Sequence, residues 1–411
     1  MEQGARADAE LTEQINLAVL AEAVPRDVID EVLAEHHLLA GRSDGKLPPH
    51  AVVYLLMLLA LHADDDYEEA AARLTDSLRA LGQVGWRPPT ASAITQARRR
   101  LGEQAVAEIF ARVARPVAGI GTPGAWMGGT RLVSIDGTTF DLPDTKANVE
   151  AFGKSANAAF PKARLLTLME CGTHAHLAAA LGGGVGKGSG ERSLVKELMR
   201  HLEPGMLLIL DAGFYGFDLW RTAQATGAQL LWRLGEGTEL ATVATLPDGS
   251  YTALVFAPRV PRRERTRLAA AARAGEPVPA ERARLVRVVE YEVDNRGEKD
   301  KKELICLITT LTNHAEHPAP LLAHTYHSRW EHEQGIGQVK THLRGSGTVL
   351  RSKSPQLVRQ EIHGYLLTHY ALTALMCRAA DAAGIEPARV KFARTVRVVR
   401  RRVTDPAAFS P

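Results

Sequence analysis

The run Met206-Leu207-Leu208-Ile209-Leu210, closed by Asp211, constrains the fold more than any other stretch of this chain. Five apolar residues without a polar alternate leave no face for water. Such a run fits a strand covered on both sides, as in a parallel or mixed sheet flanked by helices. Its surroundings agree. Leu132-Val133-Ser134-Ile135 reads as a strand running into a tight turn at Asp136-Gly137, with a second short strand at 138–142. Further strands are expected at 164–169, 174–181 and 229–234, and helices at 191–202 and 217–226, a rhythm that defines an α/β core.

That rhythm is bounded on both sides. At 411 residues the chain exceeds one ordinary core. Residues 1–125 read as a helical N-terminal domain, and 126–235 as the first part of the α/β core. A β-rich, largely antiparallel insertion occupies 236–312 around the charged stretch Arg259, Arg262, Arg263, Arg265 and Arg267. The second part of the core follows at 313–380, and a basic tail at 381–411. Within the first domain, Pro48-Pro49 opens an apolar helix around 52–61, proline being tolerated in a first turn. Beyond Trp86-Arg87-Pro88-Pro89, Thr90 or Ser92 caps a short helix carrying Arg98-Arg99-Arg100. That helix is either the recognition helix of a helix-turn-helix or a solvated basic face. In the tail, Arg394, Arg397 and Arg401 share one helix face, which is either phosphate-contacting or solvated.

Composition excludes several classes. Net charge is +3, from 50 basic and 47 acidic side chains, so any case for nucleic acid rests on local clustering. Cys171, Cys306 and Cys377 are scattered and never in C-x-x-C spacing, which reads as reduced thiols rather than a disulfide frame or zinc site. The start, Met1 to Asp8, is polar and unlike a secretory signal, and the apolar run 51–61 is about half a membrane span. A cytoplasmic protein without membrane partners is expected. Gly186-Lys187 fails as a phosphate loop because Gly188 stands where Ser or Thr is required. His324, His327 and His332 lack metal spacing and read as surface or DNA-facing, and Trp330 as core. Trp232 and Arg233, at a strand end, are candidate DNA contacts.

The chemistry concentrates in 326–340. On one α-helix, Tyr326, Arg329, Glu333 and Lys340 fall within roughly 60° of one another, over a rise of about 21 Å. A carboxylate flanked by a guanidinium fork, an ammonium and a phenol suits a metal-bound phosphate backbone. Asp136 and Asp211 each follow an apolar strand-like run, where α/β proteins place their chemistry, although aspartate is also a common turn former. Three carboxylates converging would suit hard divalent cations. Two such ions about 4 Å apart can activate a water or a 3′-hydroxyl and stabilise a leaving oxygen.

The run Tyr326-His327-Ser328-Arg329-Trp330-Glu331-His332-Glu333, followed by Lys340, resembles the Y-x2-R-x3-E-x6-K signature of DDE transposases of the insertion-sequence-4 type. Ile135-Asp136-Gly137-Thr138 and Asp211-Ala212-Gly213-Phe214-Tyr215-Gly216 resemble that family's two aspartate segments, in the family's order. The resemblance implies a ribonuclease H-like core and a catalytic, metal-binding triad of Asp136, Asp211 and Glu333. It implies magnesium as two divalent ions, with manganese able to substitute, and places Tyr326, Arg329 and Lys340 on DNA. It also implies inverted-repeat ends and target DNA as partners of a homodimer, with cut-and-paste transposition through end cleavage, a hairpin and strand transfer. A DNA-binding derivative without activity, or a nuclease that cuts but never joins, are the rival readings. The chain departs from the family pattern at Ala212, often arginine in relatives. It departs again at Gly335 and Gly337, each costing a helix up to about 1 kcal/mol against alanine.

Overall fold

The computed structural model of the protein describes residues 17–39, 47–80, 88–185, 190–294 and 302–402. The Met1 to Asp8 start, Trp86-Arg87 and the Gly186-Lys187-Gly188 run lie outside these residues. The chain divides into two compact units: Met1–Gly124, Gly137–Gly190 and Glu333–Pro411 form one, Ala125–Asp136 and Glu191–His332 the other. Among the described residues the strands, in chain order, are β1 (Trp126–Met127), β2 (Thr130–Asp141), β3 (Lys162–Glu170), β4 (His176–Gly183) and β5 (Met206–Leu210). They continue with β6 (Gln229–Arg233), β7 (Ala241–Thr245), β8 (Tyr251–Phe256), β9 (Ala283–Asp294) and β10 (Lys302–Thr309).

The first unit is built on two helices. Pro49–Leu61 starts on a proline, as expected, and every residue from Ala51 to Leu61 is buried, so this helix has no solvent face. Helix Pro355–Ala383 packs along it and ends at Gly384, whose φ of 64° gives the left-handed turn that terminates helices. The two backbones approach closely at Gly364. A Cβ there would lie 3.0 Å from the Leu56 carbonyl oxygen, and Thr368 Oγ1 donates to the Met57 carbonyl at 3.0 Å. Each large apolar side chain buried here contributes about 1.5–3 kcal/mol. Among the described residues no helix is long and apolar enough to cross a membrane. This unit also holds the antiparallel β3–β4 pair, with residues 137–141 of β2 beside β3.

In the second unit the strand order is β2-β5-β6-β10-β9-β8-β7, with β1 hydrogen-bonded to β2 off that path. The stem of β2 lies parallel to β5, and β5 parallel to β6. Strand β5, the uninterrupted apolar run, is buried at all five positions. The strands expected to form an antiparallel insertion do pair antiparallel, and β10 joins them to β6. The charged stretch among them is a helix, Arg262–Arg273.

Three local expectations need correcting. Asp136-Gly137 is not a turn: β2 runs straight through from Thr130 to Asp141. Gly137 is required there by a neighbour, since a Cβ would sit 2.8 Å from the Leu165 carbonyl oxygen of β3. The strand expected at 174–181 is displaced by two residues, β4 running from His176 to Gly183. Finally, the 326–340 segment is helical but not of one pitch. Ala319–Tyr326 is α-helical, His327–Arg329 a 3₁₀ turn, Trp330–Gly337 α-helical again and Gln338–Leu343 π-helical. The Arg344 amide accordingly donates five residues back, to Val339, at 3.0 Å.

Candidate active site

The parallel register of β2 and β5 aligns Arg131 with Met206 and Ser134 with Ile209. Carrying that register two residues further sets Asp136 opposite Asp211. Neighbouring strands lie about 4.8 Å apart, so the two carboxylates leave the sheet side by side on the same face. Asp211 ends its strand and turns the chain, its side chain accepting from the Ala212 amide at 2.7 Å. Its carbonyl accepts from the indole Nε1 of Trp232 at 3.0 Å. The aspartate is thus held at both backbone and side chain.

The 326–332 stretch of the signature closes over this pair. Tyr326 donates its hydroxyl to Asp211 Oδ1 at 3.3 Å. Burial first, and then the Asp211 charge, push the Tyr326 phenol well above its ordinary value, so it remains a donor at any working pH. Arg329 Nη1 lies 3.7 Å from Asp136 Oδ2 and 4.0 Å from Asp211 Oδ2, with only 11% of its side chain exposed. His332 is fully buried and hydrogen-bonded to Ser134 Oγ at 2.8 Å, two residues before Asp136 on the same strand face. Arg233, at the end of β6, pairs with Glu303. Burial works against its charge, but Glu303, Tyr326 and Asp211 more than compensate and raise its pKa.

Asp136, Asp211, Tyr326 and Arg329 therefore meet within one unit. Two adjacent carboxylates sharing one cationic partner form a donor set of the hard oxygen type that divalent cations prefer. Among the described residues no group of three or more His, Cys, Asp and Glu side chains is gathered as a ligand set. Glu333, exposed on helix Trp330–Gly337, and Lys340 belong to the other unit. Lys340 has a lowered pKa, chiefly from burial and then from Arg344, with Asp141 opposing and Lys162 adding to the repulsion.

Several expectations change at this site. Trp330 is 50% exposed and its neighbour Arg329 stacks over the ring at 5.4 Å, so it is not core. Trp232 is 1% exposed and packs against Trp220 and Tyr215, which removes it as a DNA contact and makes it the support of Asp211. His332 is neither surface nor DNA-facing. Its role is not written in its own neighbourhood, although Ser134 on the Asp136 face was a signal that something polar must meet that strand. Gly335 has a packing reason: a Cβ would lie 2.5 Å from the sulfur of Met169, itself fully buried. Nothing lies within 4 Å of a Cβ placed at Gly337.

Residues 14–111 match the model of the insertion element 4 transposase N-terminal region, and 127–370 that of the transposase DDE domain. The second match alone covers more than half of the chain, and the protein belongs to the DDE transposases, of the insertion-sequence-4 type. It is 28% identical over 404 residues to the transposase InsG for insertion sequence element IS4 of Escherichia coli (strain K12), spanning 96% of this chain and 85% of that one. Among solved structures it is similar, at a TM-score of 0.49 and 11% identity, to the cryo-EM piggyBac transposase synaptic complex with hairpin DNA. That match covers 96% of this chain and 81% of the other. The protein is a DNA transposase with a mixed-sheet, ribonuclease H-like core, from a family of DNA-cleaving and strand-transferring enzymes that use divalent metal ions.

Proposed function

We propose that this transposase moves its element by cut and paste, with Asp136, Asp211 and Glu333 as its catalytic, metal-binding carboxylates. The observation that carries this reading is that Asp136, inside β2, and Asp211, just past the end of the parallel strand β5, share the Arg329 guanidinium. Glu333 follows Arg329 by one helical turn, the offset at which side chains fall on one face. Magnesium as two ions, with manganese able to substitute, would supply activation of the attacking oxygen and stabilisation of the leaving one. The protein's own residues bind and orient. Tyr326 fixes the Asp211 carboxylate. Arg329 offers a bidentate fork and Lys340 a point charge to the phosphates of the inverted-repeat end.

In the proposed cycle, water attacks phosphorus at the element's end and the 3′-oxygen leaves as a free hydroxyl. That hydroxyl attacks a phosphodiester of the opposite strand and displaces the flanking DNA's 3′-oxygen to give a hairpin, which a second water reopens by displacing the element's 3′-oxygen again. The freed 3′-hydroxyl then attacks target DNA, displacing a target 3′-oxygen. Each step is an in-line displacement at phosphorus, so one site serves all of them. The helical region 1–125 binds the end DNA, and two copies of the protein hold the paired ends, in the bacterial cytoplasm on nucleoid DNA. The test uses the Glu333→Gln variant on the cognate end with magnesium. It is expected to bind the end as the parent does, with cleavage lower by on the order of 10³-fold. Full cleavage by that variant removes Glu333 from the site. Joining of a pre-cleaved end to plasmid by the parent protein completes the case, and cutting without joining overturns it in favour of a nuclease.

A further inference from the structure

The C-terminal helix Phe392–Arg402 has two opposed faces. Phe392, Val396 and Val399 are 5%, 2% and 0% exposed and seat the helix on its unit. Phe392 lies over the ring of His369 at 5.1 Å. Arg400 turns inward and donates to the Leu61 carbonyl at 2.6 Å, at the C-terminal end of helix Pro49–Leu61 where carbonyls lack partners. Arg394, Arg397 and Arg401 point the other way and are exposed. At about 100° per residue their offsets of three and seven place them within roughly 60° of one another. Exposed Arg389 and Lys391 lead into the same stripe. The helix contains no acidic residue, and among the described residues none of these five cations is held in an ion pair.

We infer that this stripe is a second DNA-contacting surface, which holds the phosphate backbone of duplex DNA without regard to sequence. The inference rests on the reading of the protein as an enzyme acting on DNA, and it assigns part of that binding to a helix outside the catalytic signature. Charge complementarity selects the occupant. Arg394 to Arg401 spans about 10 Å at 1.5 Å per residue, and phosphates recur every 3.4 Å of axis along one strand, so three cations match about three phosphates. A face made only of cations, with no amide or acidic side chain interleaved, contacts backbone rather than discriminating bases. This is the character expected where target DNA of arbitrary sequence is held.

The test is a fluorescence-anisotropy titration of the full-length protein with a labelled duplex of unrelated sequence, across 50–300 mM salt. In the triple variant Arg394→Gln, Arg397→Gln and Arg401→Gln, the slope of log affinity against log salt should fall by about 2.7, or 0.9 per lost contact. Affinity at 100 mM salt should fall by roughly 10²-fold or more. Arg259→Gln, Arg262→Gln and Arg263→Gln change net charge equally and should leave both quantities near the parent values. Circular dichroism confirms that each variant is folded, and Arg397→Gln alone, with a slope change of about 0.9, serves if the triple variant is not. An unchanged slope in a folded variant overturns the inference. Loss in both triple variants alike does so too, since it would reflect net charge only. The Glu333→Gln cleavage assay reads the catalytic proposal separately, so one can fail while the other stands.

Discussion

Helix Ala91–Leu101 and helix Phe392–Arg402 each end in a run of arginines, and both invite the same reading from sequence. The structure separates them. Arg98 is 1% exposed, and its guanidinium donates to Gln360 Oε1 at 3.3 Å, Ser352 Oγ at 3.2 Å, the Leu357 carbonyl at 2.9 Å and the Tyr67 hydroxyl. The charge is a clamp between helices, and Arg99 and Arg100 alone face water. In Phe392–Arg402, among the described side chains, only Arg400 is spent in this way. The difference lies in phase. Position 98 falls in the stripe of Ile94, Ala97 and Leu101, the buried face, whereas Arg394, Arg397 and Arg401 fall opposite Phe392, Val396 and Val399. A run of like charge says little until its phase against the apolar stripe is known.

The largest effect should come from Arg98→Met, which strands several buried acceptors at once. A loss of about 3 kcal/mol or more is expected from the urea midpoint. A value below about 1 kcal/mol would erase the distinction between the two helices. Acid provides a second, smaller contrast. Burial, opposed by the hydrogen bond from Gln338, holds His174 down to about 4. Burial and then His174 hold His176 down to about 3, and His369, next to it and under Phe392, is also held well below its ordinary value. Folded values below the free value near 6.5 mean that the unfolded chain protonates first. This stability is complete above about pH 6.5 and is lost as pH falls towards 4, about 2 kcal/mol for each of His174 and His176 by pH 5. Amide exchange at pH 5 against pH 7 should therefore loosen Phe392–Arg402 more than Ala91–Leu101, and equal loosening would contradict the picture. The smallest effect is expected for Arg397→Ala, within about 0.5 kcal/mol of the parent in the same urea assay.

The sheet was legible because its strands are written locally. The apolar run of β5 could be little else, and the strands 164–169 and 229–234 followed from composition, as did the cap at Thr90, which accepts from the Ala93 amide at 3.3 Å. The adjacency of Asp136 and Asp211 was less a matter of composition than of order along the chain. Hidden from sequence was whatever depends on a distant neighbour. Gly137 looks the same in a turn as beside the Leu165 carbonyl, and only the position of β3 distinguishes them. Trp330 and Trp232 exchanged expected places for the same reason, since an aromatic side chain carries no mark of which wall it meets. Arg98, in contrast, was readable in principle from its phase.

The π-helical stretch Gln338–Leu343 has a consequence for counting. A widened turn accommodates one residue more than an α-turn would, so the spacing between Glu333 and Lys340 is a length measured along the chain and not a fixed angle around it. Deleting a single residue inside 338–343 would let the coil tighten to ordinary pitch and leave the downstream chain in its place. Deleting one inside 330–337 would swing every later residue of the segment by about 100°. Tolerance to shortening should therefore differ sharply between two neighbouring stretches of equally helical character.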